Sequence, residues 1–132
     1  MTRTIDTRFF LTHYLADTNE LKVKTARRLV ELQQESAVVP TIVLHEIYKF
    51  MHDNIGRDVA QLRVDSVLNS SFEVIDLTPK IAITSAALRC RYRHLPTADS
   101  IVAATSIETK SRAVLSDDPH FEQIHEIRRE WF

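Results

Sequence analysis

The sequence predicts an α/β fold: a three-layer sandwich with a mainly parallel central sheet of four to five strands and helices on both faces. Three observations point there. Short apolar runs of strand length alternate with longer segments of helical period. The run Ala37-Val38-Val39-Pro40 is apolar throughout, as in strands buried on both sides of a parallel sheet. Strong helix starts stand between the runs, so the connections read as strand–helix–strand crossovers.

Thr2 to Asp6 reads as the first strand and Phe9 to Tyr14 as a short apolar helix. Asp17, with Glu20 three residues on, has capping-box character. It opens a helix to about Glu35, with Leu21, Ala26, Leu29, Val30 and Leu32 as the buried stripe. Lys22, Lys24, Arg27 and Arg28 fall elsewhere on that helix, as a solvated face or as an RNA patch. Ala37 to Pro40 is the second strand. Thr41 caps a helix to about Asn54, which Gly56 stops.

The next helix, about Arg57 to Asn69, turns Val59, Leu62, Val67 and Leu68 inward. Ser70-Ser71 breaks it, and Phe72 to Leu77 alternates as a third strand. Thr78 and Pro79 are the N-cap and first residue of a helix to about Tyr92. After His94-Leu95-Pro96 another helix runs from Thr97 to about Thr109, and Ala113 to Ser116 is the fourth strand. His125 to Arg129 forms a short edge strand, with Trp131 and Phe132 folded back on apolar surface. No repeat, linker or low-complexity segment interrupts the pattern, so residues 1–132 are expected to form one domain.

Hydrophobic residues at 44% and charged residues at 27% are the proportions of a soluble globular chain. Cys90 is the only cysteine, which excludes an internal disulfide. Asp6 interrupts the first apolar stretch, against a signal peptide, and no apolar run reaches membrane-spanning length. Together these predict a cytoplasmic protein without a membrane association. The net charge of −1 gives no general basic surface, so any nucleic-acid contact rests on a local patch or on bound metal. The single glycine, Gly56, excludes a Walker A loop and the dinucleotide fingerprint.

Most of the 18 acidic residues must simply face water, but four stand in awkward places. Asp6 ends the first strand, where an Asx-turn would also explain it. Glu46 falls on a helical wheel among Ile42, Val43, Ile47 and Phe50, where a carboxylate costs several kcal/mol unless paired with an arginine or bound to metal. Asp99 lies in the first turn of a helix apolar nearly all round, where the dipole also favours an acid. Asp118 follows Asp117 after the fourth strand and precedes Pro119, a pairing that also starts turns. Strand and helix ends meeting at one sheet edge would bring these acids together. Clustered carboxylates repel unless a cation neutralises them, and hard oxygen donors suit Mg²⁺ or Mn²⁺.

At these residues the chain resembles a PIN domain, the metal-dependent ribonuclease fold of VapC-type toxins, over essentially all 132 residues. Ile5-Asp6-Thr7 is similar to the family's opening acid, and Glu46 to its second, in the helix after strand two. Ala98-Asp99-Ser100-Ile101-Val102-Ala103-Ala104 is the most specific match, to the third motif. Ser116-Asp117-Asp118-Pro119-His120-Phe121 resembles the closing Thr/Ser-x-Asp-x-x-Phe element. It makes Asp118 the fourth acid, Asp117 the variable position and Ser116 the supporting hydroxyl. Arg8 stands where a small polar residue is common, either to contact substrate phosphate or to pair with an acid of the site.

The resemblance implies metal-assisted hydrolysis of RNA, with Asp6, Glu46, Asp99 and Asp118 holding one or two Mg²⁺ or Mn²⁺ ions. Thr7, Ser116 and Asp117 would support them. It also implies a homodimer and a small antitoxin that blocks the site. Arg8, Arg89, Arg91, Arg93 and His94 are candidate contacts to the RNA backbone. The alternative is a catalytically silent PIN-like module that binds a partner protein or RNA. A receiver-type phospho-acceptor fits less well, because it wants paired acids at the first strand and Asp6 stands alone.

Overall fold

The computed structural model describes residues 2–132. Arg3–Ile5 forms β1, followed by α1 (Thr7–Tyr14) and α2 (Asn19–Glu35). β2 (Ala37–Pro40) leads into α3 (Thr41–Asn54) and α4 (Arg57–Leu68), and β3 (Glu73–Ile75) into α5 (Pro79–Arg91) and α6 (Thr97–Glu108). β4 (Ala113–Leu115), a 3₁₀ turn (Pro119–Gln123) and β5 (Arg129–Glu130) complete the chain.

The sheet has five strands in the order β3-β2-β1-β4-β5, and every pairing is parallel. A parallel pair cannot be joined by a tight turn; the helix pairs α1–α2, α3–α4 and α5–α6 supply the first three crossovers, and the segment with the 3₁₀ turn joins β4 to β5. Every residue of β2 and β4 is buried, so both alternating sets of side chains are covered and the sheet lies between helical layers. The core gathers Ile5, Phe9, Leu32, Ile47, Leu115 and Phe121, all but inaccessible to solvent. Trp131 and Phe132 do fold back, edge-on to Phe9 with ring centres 6.3 and 5.9 Å away. The winding adds β2 and β3 on one side of β1, then β4 and β5 on the other. It therefore reverses between β1 and β4, where open α/β sheets bind ligands. Among the described residues no helix is long and apolar enough to cross a membrane.

Several local expectations shift. Thr18, not Asp17, caps α2, its hydroxyl accepting from the Leu21 amide at 3.2 Å. Thr41 is the first helical residue after Pro40 rather than a side-chain cap. Gly56 has φ of +143°, a conformation that side chains resist, and it separates α3 from α4 as the sequence suggests. The buried stripe of α2 is narrower than expected: Ala26 and Val30 are exposed, and Thr25 with Leu32 faces inward. On α4, Leu62 and Leu68 are more than half exposed while Ala60 and Val67 are buried. That helix packs chiefly on α3, which covers only a thin seam of it. The third strand contracts to Glu73–Ile75, and the edge strand lies later than expected, at Arg129–Glu130.

Removing the Phe9 ring should cost about 3–5 kcal/mol, since it leaves a cavity in the centre of the core. Leu62→Ala should stay within about 0.5 kcal/mol of the parent. Denaturant unfolding of both variants tests this division of the apolar residues.

Candidate metal centre

The reversal between β1 and β4 places Asp6 and Asp118 side by side in the fold although they are far apart in the chain. Asp6 leaves the end of β1 and caps α1, its carboxylate facing the Arg8 amide at 3.4 Å. Ser116, wholly buried after β4, donates its hydroxyl to Asp6 Oδ2 at 2.7 Å and accepts from the Asp118 amide at 3.1 Å. Asp118 in turn caps the 3₁₀ turn, accepting from the His120 amide at 2.9 Å. Glu46 comes from the middle of α3 and accepts from the Thr7 hydroxyl at 2.6 Å. Asp99 occupies the first turn of α6, where orphan amides favour negative charge.

Asp6, Glu46, Asp99 and Asp118 all line one cleft of about 490 Å³. Burial raises the Asp6 carboxyl to about 7, and the nearby charges of Asp99 and Glu46 add to this against the Ser116 hydrogen bond. Asp99 is pushed up to about 6, first by burial and then by Asp118. Among the described residues, no lysine or arginine pairs with any of the four. The donor set therefore fits a divalent cation: clustered oxygen ligands, short of positive charge, at an accessible cleft.

Arg8 answers the question its position posed. Its Nε meets Asp117 Oδ1 at 2.8 Å, at the rim, so its ion pair is with the variable position and not with the four acids. Arg89 and Arg91 lie on α5, engaged with the Leu95 carbonyl and Glu126, and Arg93 and His94 are exposed just beyond it. None of those four lines the cleft. Besides Arg8, the basic residues that do are His45 and Lys49. Lys49 lies one helical turn past Glu46, a spacing that would have marked it. His120 also escaped notice: its Nδ1 sits 3.0 Å from Asp99 and 2.9 Å from Asp118.

These features define an α/β protein with an acidic cleft at the carboxyl edge of a parallel sheet. Within that class, the chain belongs to the PIN domain family, whose model matches residues 4–127. No curated protein is significantly similar to it in sequence. Its fold is similar to VapBC2 from Rickettsia felis bound to a promoter DNA fragment, with a TM-score of 0.81 and 18% identity over 99% of this chain and 98% of that one. It also resembles a toxin–antitoxin complex from Klebsiella pneumoniae (TM-score 0.66, 19% identity, 95% and 94% covered). A third is the sarcin–ricin loop cleaving toxin VapC20 of Mycobacterium tuberculosis (0.75, 18%, 96% and 98%). At such identities the likeness establishes the fold.

The raised carboxyl of Asp6 has a signed consequence. A folded-state value near 7 against 3.8 means the native protein holds that proton more tightly than the unfolded chain. The associated stability is complete below about pH 4 and is lost as pH rises through 7. With chelator present, Asp6→Asn should therefore gain on the wild type between pH 4 and 8, by up to about 4 kcal/mol. Paired melts across that range, with a flat difference as the contrary result, check it.

Proposed function

We propose that the protein is a metal-dependent endoribonuclease, the toxin of a toxin–antitoxin pair. One observation carries the reading: four carboxylates, from the end of β1, α3, α6 and the segment after β4, line a single cleft, and among the described residues no lysine or arginine pairs with them. Membership of the PIN family supports it.

Asp6, Glu46, Asp99 and Asp118 would hold one or two Mg²⁺ or Mn²⁺ ions. When bound, such an ion lowers the pKa of a coordinated water and stabilises charge on the phosphate oxygens. The chain's own residues do the positioning. Thr7 orients Glu46, and Ser116 fixes Asp6 while tying down the Asp118 backbone. Lys49 and Arg8, both lining the cleft, supply cationic groups for flanking phosphates; each starts in an exposed ion pair, with Asp53 and Asp117, that a phosphate can replace at little cost.

The similar solved complexes support an antitoxin as partner, and the same reading takes RNA as substrate, a homodimer as the working form and the cytoplasm as its place. A silent binding module is the second reading. Its main support was an arginine neutralising the acids, and Arg8 pairs elsewhere.

Mn²⁺ should confer RNA cleavage that chelation abolishes, and Asp99→Asn should lower it on the order of 100-fold or more. In chelator the variant should melt no lower than the wild type, because one source of carboxylate repulsion is gone. Added Mn²⁺ should raise the wild-type melting temperature more than the variant's. A purified protein that folds, binds RNA and never cuts it with either ion would leave the silent module standing.

A further inference from the structure

His120 belongs to none of the four acidic positions, yet its imidazole meets two of them. Pro119 restricts the backbone just before it, and the His120 amide is fastened to Asp118 Oδ1 at 2.9 Å. The same side chain sets Nδ1 3.0 Å from Asp99 Oδ2 and 2.9 Å from Asp118 Oδ1. One ligand atom from each of Asp99, Asp118 and His120 lies within 4.8 Å of the others. The ring is 46% exposed, so nothing in the core forces it to point inward.

We propose that His120 is a nitrogen ligand of the cation held at this cleft, and that it makes the centre prefer a first-row transition ion over Mg²⁺. The inference rests on the metal-centre reading above and adds to it a choice of ion. Four carboxylates alone would treat Mg²⁺ and Mn²⁺ much alike, as hard ions with oxygen donors. Mg²⁺ keeps its water and takes oxygen. An imidazole rewards the ions that accept nitrogen.

The test is metal binding by the intact protein, read by calorimetry and by electron spin-echo spectroscopy of Mn²⁺, without any assay of cleavage. Loss of a group that merely orients a ligand commonly costs 10–100-fold in affinity, so His120→Ala should weaken Mn²⁺ by about tenfold or more. Mg²⁺ should change by less than about threefold. Histidine nitrogen coupling to Mn²⁺ should be present in the wild type, persist in His45→Ala and vanish in His120→Ala. His45 is the other imidazole lining the cleft, so that control separates the two. An unchanged melting temperature in chelator shows that the variant is folded.

Equal weakening of both ions, or no nitrogen coupling in the wild type, overturns the ligand role. So does tighter Mn²⁺ binding by the variant, which would mark His120 as a counter-charge that competes with the ion. If Asp99→Asn binds both ions as the wild type does, or the wild type binds neither, the metal-centre reading itself falls and this inference with it.

Discussion

The Ser116 hydroxyl joins the two halves of the acidic edge. It gives its hydrogen to Asp6 and takes one from the Asp118 amide, linking the end of β1 to the segment after β4 at a separation of 110 residues for the first contact. Asp6 is only 3% exposed, and burial of a carboxylate is tolerable only where hydrogen bonds or a cation compensate. One hydroxyl and one distant amide are a thin supply. The remainder of the site, Glu46 steadied by Thr7 and Asp99 at a helix start, increases the local negative charge instead of relieving it. Packing of β1 between β2 and β4 holds the carboxyl in place against this cost.

Most of the fold was legible because period and capping are local properties. Thr78 and Pro79 announce α5, and its hydroxyl does accept from the Ile81 amide at 3.2 Å. The neighbouring Asp17 and Thr18 were harder to separate, since either side chain suits the role and only the backbone turn decides. Leu62 and Leu68 mark another limit. An apolar residue on a helix says that some face is buried, but the width of that face depends on how many neighbours the helix acquires, and α4 acquires mainly one.

The four acids were readable for a related reason: each broke a local pattern, at a strand end, in an apolar face or at the start of a buried helix. His45 and His120 broke none. Polar side chains on exposed positions look like any solvated residue until the chain is folded and a cleft runs beside them. Arg8 was visible as a departure, but its partner is set only by the folded chain. It is Asp117, at the rim, so both residues of that pair stand outside the group of four.

The placement of β1 in the middle of the sheet also bears on synthesis. Its first residue pairs with Ala37 on one side and with Ala113 on the other, so one neighbour leaves the ribosome soon after it and the other far later. Such long-range pairing slows folding, because a large loop must close before the contact returns anything. It also means that an unfinished chain has Asp6 and Glu46 but lacks both Asp99 and Asp118. Under the nuclease reading proposed above, a nascent polypeptide would have an incomplete acidic centre until both of those later residues had been translated and docked.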